Sequence, residues 1–96
     1  MIVIGYWEIV GEDIDEVISL YQQALEDRKK GKLNHPKMVS DNYVISGANS
    51  GFRIFEATDP IQIENLKYYY YPLMEWEFVP IIKAEDSIKA YMDSKK

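Results

Sequence analysis

The chain has no cysteine, a single histidine and only four prolines in 96 residues. Without cysteine there is no disulfide framework, no thiol nucleophile and no thiolate metal site. One histidine among scattered carboxylates gives no zinc or two-metal ligand spacing, so no metal and no cofactor are expected. Positive charge is also scarce. Eleven Lys and Arg stand against 16 Asp and Glu, for a formal net charge of -5 and a pI near 4.8. That balance disfavours a partner with dense phosphate or an anionic membrane surface. Long apolar runs are missing too. No stretch approaches the roughly eighteen residues of a membrane span, and the start, Met1 to Glu8, lacks the basic opening of a signal peptide. The expectation is a cytoplasmic protein without nucleic-acid or membrane partners.

What is present is an ordinary globular share of apolar residues, 47%, enough for one domain over residues 1–96 with a single core. Ile2 to Val10 is β-branched and aromatic and stops at Gly11, as a strand does. Asp13 can cap a helix whose first turn carries Asp15 and Glu16. Ile14, Val17, Ile18, Tyr21 and Leu25 form its apolar stripe, and Arg28, Lys29 and Lys30 precede a stop at Gly31. Lys32 to Pro36 reads as a polar connector and Lys37 to Ser46 as a second strand. Gly47 to Gly51 can supply a hairpin loop into a third strand, Phe52 to Ala57. Thr58 or Asp59 then caps a second helix with Pro60 at its first position and Ile63, Leu66, Tyr69 and Tyr70 on its buried side. Pro72 ends it. Leu73 to Ile82 is a fourth strand, and Pro80 within it suggests an edge position or a bulge. Ala84 to about Met92 makes a short terminal helix with Ile88 and Tyr91 inward, before a frayed tail at Lys95 and Lys96.

The order β-α-β-β-α-β implies an α+β ferredoxin-like sandwich, a four-stranded antiparallel sheet with two helices on one face and a short C-terminal helix. Both faces of the strands are bulky. Val3 and Trp7 oppose Ile2, Ile4 and Tyr6; Phe55 opposes Phe52 and Ile54; Trp76 and Phe78 oppose Val79 and Ile81. Two helices cover one face only, so a second copy packed sheet to sheet is expected on the other, a homodimer. A C-terminal segment folded over that face is the monomeric alternative.

The run Phe52-Arg53-Ile54-Phe55-Glu56-Ala57-Thr58-Asp59-Pro60, the tyrosine-rich helix after it and Glu75-Trp76-Glu77-Phe78-Val79-Pro80-Ile81-Ile82 resemble the C-terminal half of a family of small bacterial and archaeal proteins known as a domain of unknown function. That family belongs with the dimeric α+β barrels, whose relatives include cofactor-free monooxygenases, muconolactone isomerases, stress-responsive proteins and ligand-sensing regulatory domains. The resemblance implies fold and dimerisation and carries no catalytic set.

Tyr68 to Tyr71 are consecutive, and on a helix four successive residues point around most of the circumference, so they read as core and interface rather than one pocket. His35, between Asn34 and Pro36, reads as a solvated loop histidine, since no acid at a fixed spacing orients it. Arg53 is the most out-of-place charge. It reads as a binder of an anion or enolate, as an ion pair with Glu8, Glu75 or Glu77 across the sheet or the dimer seam, or as a side chain whose stem snorkels to solvent. Gly51-Phe52-Arg53-Ile54-Phe55 is superficially like an RNA-recognition motif, but Ser50 replaces its leading basic residue. The function expected is binding of a small apolar or aromatic molecule between sheets, with Tyr6, Trp7, Tyr43, Arg53, Phe55 and Trp76 as ligand-binding candidates. A cofactor-independent monooxygenase or isomerase is the catalytic alternative and a structural module the third.

Overall fold

A computed structural model describes residues 1–95. The elements are β1 (Ile2–Ile9), α1 (Ile14–Lys29), β2 (Lys37–Met38), β3 (Tyr43–Val44), β4 (Ser50–Glu56), α2 (Pro60–Tyr69), β5 (Met74–Pro80) and α3 (Ala84–Ser94). They make an antiparallel five-stranded sheet in the order β2-β4-β1-β5, with β3 also pairing β4. This α+β architecture with three helices is compatible with a ferredoxin-like fold. None of the described helices is long and apolar enough to cross a membrane.

The second strand is broken in two, which makes the sheet five-stranded rather than four-stranded. The cause lies in Ser40-Asp41-Asn42. The Ser40 hydroxyl accepts the Ile54 amide at 2.8 Å and Asn42 turns its side chain onto Trp7. Short polar side chains here compete with backbone for ladder hydrogen bonds, and the chain leaves the ladder between β2 and β3. The hairpin beyond it forms, with Gly47 at φ +81 where a left-handed residue is needed.

Register sorts the faces. Gly5 lies opposite Arg53 and Phe78, and Trp7 opposite Gly51 and Trp76, so Val3, Trp7, Arg53, Phe55, Trp76 and Phe78 share one face. The helices cover it. Asp13 caps α1 by accepting from the Glu16 amide, and α2 carries a reciprocal capping box between Asp59 and Gln62 with Pro60 at its start. Val3, Trp7, Val17, Phe55, Leu66, Tyr70 and Met74 form the buried cluster.

The terminal helix departs from expectation. Ile88 and Tyr91 do not face inward; they are 61% and 59% exposed, and α3 has no buried residue. The helix projects as an arm, stretching the chain to 54 × 33 × 20 Å. Its radius of gyration is 15.7 Å, against about 12.5 Å for a compact chain of this length. Lys95 closes α3 as its C-cap, and Lys96 lies outside the described residues.

Candidate functional site

Helices and sheet do not close on each other completely. A cavity of about 310 Å3 remains between α1, α2 and the helix-covered face. Val17, Tyr21, Ala24 and Leu25 of α1 line it with Leu66 and Tyr70 on the α2 side, and the floor is Trp7, Arg53, Phe55, Met74 and Trp76. Trp76 is the centre of an aromatic cluster that reaches beyond the cavity to Phe78. Trp76 stacks on Phe78 with ring centroids 5.3 Å apart, and both Phe55 and Tyr70 lie 6.1 Å from Trp76. Gly5 makes this possible: a Cβ there would meet Phe55 at 2.9 Å, Phe78 at 3.1 Å and Trp76 at 3.2 Å. The missing side chain lets three rings lie across β1.

Four of the six residues proposed from sequence therefore meet at one place: Trp7, Arg53, Phe55 and Trp76. Tyr6 and Tyr43 do not join them. They lie on the open face, 44% and 51% exposed, on either side of Phe52, with which Tyr43 stacks at 5.4 Å and Tyr6 is tilted at 6.2 Å. A ligand between two sheets would concern that open face, whereas the cavity between helices and sheet is on the opposite one.

Arg53 also departs from its expected pairing. Glu8, Glu75 and Glu77 belong to the other face by register, so none lies beside it. Its Nη1 instead donates to the Met38 thioether at 2.7 Å, a weak acceptor for a cation, and its buried Nε has no partner.

His35 is not a solvated loop residue. The connector is pinned: Asn65 Nδ2 donates to the Asn34 carbonyl, Gln62 Nε2 to the Asn34 side chain and Arg28 Nη1 to the Pro36 carbonyl at 2.7 Å. His35 is thereby drawn onto the Tyr69 ring, 5.5 Å away edge-on, and lines the cavity with a buried, unpartnered Nδ1. Burial, then the Arg28 charge, lowers its pKa from 6.5 to about 4. The unfolded chain binds this proton at a higher pH than the folded one, so the contribution is fully present above 6.5 and is lost as pH falls toward 4. We expect the urea midpoint to fall less for His35→Gln than for the natural chain between about pH 7 and about pH 5; parallel declines would refute the assignment.

Arg28 was legible only as a helix-terminal charge, yet it lies on the cavity wall, where burial first of all lowers its pKa. A signal existed: position 28 continues the 21, 25 spacing of the apolar stripe. Tyr70 is likewise buried, and that burial holds its phenol protonated well above the usual range. Among the described residues no group of three or more His, Asp or Glu side chains could hold a metal ion.

No curated protein and no solved structure matches the chain. A family model does match, over residues 7–95, which is nearly the whole cavity-forming chain and α3. The protein belongs to the family described as domain of unknown function DUF3303.

Proposed function

We propose that this protein is a ferredoxin-like, dimeric α+β barrel that holds a small apolar or aromatic molecule between its helices and its sheet. The carrying observation is the cavity, about 310 Å3 and walled chiefly by aromatic and aliphatic side chains with a few polar groups, the usual make-up of a ligand site. Binding is favoured over proton-transfer catalysis by the two titratable side chains displaced furthest. His35 near 4 is a weak base at neutral pH, and Tyr70 keeps its proton, so neither is poised near the working pH that acid-base chemistry asks for.

The test uses 2-naphthol as a neutral, bicyclic probe. It should raise the melting temperature of the natural chain in a saturable way and leave Ala24→Phe, whose new ring occupies the space beside the buried Ala24, unshifted. No shift in the natural chain up to about 1 mM would end this reading.

Pairing of two copies has its own support. The chain exposes 6839 Å2, against about 5,700 Å2 for a compact monomer of its mass. The surplus, about 1,100 Å2, exceeds the roughly 800 Å2 that one partner gives up in a standard interface. Exposed apolar side chains on the open sheet face, Tyr6 and Tyr43, and on α3, Ile88, Tyr91 and Met92, are available to such an interface.

A further inference from the structure

The cavity carries positive charge that the protein does not neutralise. Arg28 and Arg53 both line it, and among the described residues no Asp or Glu does, although acids outnumber bases in the chain as a whole. Three buried polar atoms of the cavity residues lack a partner among the described residues, His35 Nδ1, Arg53 Nε and Trp76 Nε1, and the last two can only donate. The acceptor of Arg53 Nη1 is a thioether. Buried donors are nearly always paired, and a guanidinium that is not paired destabilises the fold it sits in. Resting on the reading of this cavity as a ligand site, we propose that its ligand is a small aromatic carboxylate, or an enolate of the same shape, with its anionic oxygens on Arg53 and its ring against Trp7, Phe55 and Trp76.

The assignment explains the composition of the site. A carboxylate gives the Arg53 guanidinium a strong acceptor in place of the thioether and complements the two cations. The planar fork of Arg53 suits two oxygens side by side. The volume, about 310 Å3, is large enough for a bicyclic ring system. A phosphate-bearing ligand is less suited to the mostly apolar wall around the single mid-strand arginine.

Calorimetry with 2-naphthoate and its neutral counterpart 2-naphthamide tests the inference. The natural chain should bind the carboxylate at least about tenfold more tightly than the amide, since a charge-assisted pair replaces a neutral one. Arg53→Met should remove that preference by bringing carboxylate affinity down to that of the amide, and should melt no lower than the natural chain, because it deletes an uncompensated cation from an apolar wall. Equal affinities for carboxylate and amide would overturn the anion assignment while leaving the cavity as a ligand site. Binding of neither would overturn both. An Arg53→Met chain that retained the carboxylate preference, or that melted well below the natural one, would make the arginine a structural residue and also overturn the proposal.

Discussion

Gly51→Ala is expected to lose about 3 kcal/mol of stability, a large part of the roughly 5–15 kcal/mol available to a domain of this kind. Gly51 sits in β4 opposite both Trp7 and Val44, where three strands meet. A Cβ there would run into the Tyr43 carbonyl oxygen and would lie 2.5 Å from Trp7 Cζ2 and 2.8 Å from Cε2. The indole cannot retreat freely, because its Nε1 donates to Asn42 Oδ1 at 2.9 Å and its ring is 8% exposed in the core. Backbone and a buried ring must both move, and close-packed interiors resist such shifts. Gly47→Ala is the comparison. That site is open but its φ is +81, so the penalty is only the left-handed strain of about 1 kcal/mol. Urea denaturation should rank Gly51→Ala well below Gly47→Ala; the reverse order would show that β3 and β4 do not approach as described.

The second large effect concerns assembly. Light scattering of the natural chain at tens of micromolar should report twice the 11.2 kDa subunit mass, and Phe52→Glu should report a single subunit. Phe52 is the middle ring of the Tyr6-Phe52-Tyr43 group on the uncovered face. Placing a carboxylate at the centre of a dry interface forces its desolvation in both copies, which weakens association by roughly a hundredfold or more. The monomeric fold should survive, because Phe52 lies on the face away from the core cluster. A natural chain that stays single at about 100 μM would remove the dimer from the proposal.

Alternation along β1, β4 and β5 was legible because the side-chain period of a strand is two, and the faces assigned to Val3, Trp7, Phe52, Phe55, Trp76 and Val79 follow from it directly. The capped starts of α1 and α2 were equally legible from Asp13 and from Asp59-Pro60. Three things were not. The break after Met38 depends on the Ser40 hydroxyl reaching Ile54, a contact between residues fourteen apart that no local pattern announces. His35 enters the cavity through hydrogen bonds from Gln62, Asn65 and Arg28, which belong to two different helices. Ile88 and Tyr91 have the spacing of a buried stripe, but spacing says only that a helix has an apolar side and never whose surface it meets. For the site, residue type located Trp7, Arg53, Phe55 and Trp76, while the handedness of burial that separates them from Tyr6 and Tyr43 needed the cross-strand register.

The projecting arm ties secondary structure to concentration. Eleven residues of helix with none of its side chains buried fall short of the ~12–15 that hold together alone in water. Its backbone order must therefore be lent by whatever it leans on, and if that is another molecule of the same kind, far-ultraviolet ellipticity near 222 nm will deepen on concentrating the sample and fade on dilution, with the 11-residue segment as the source of the change.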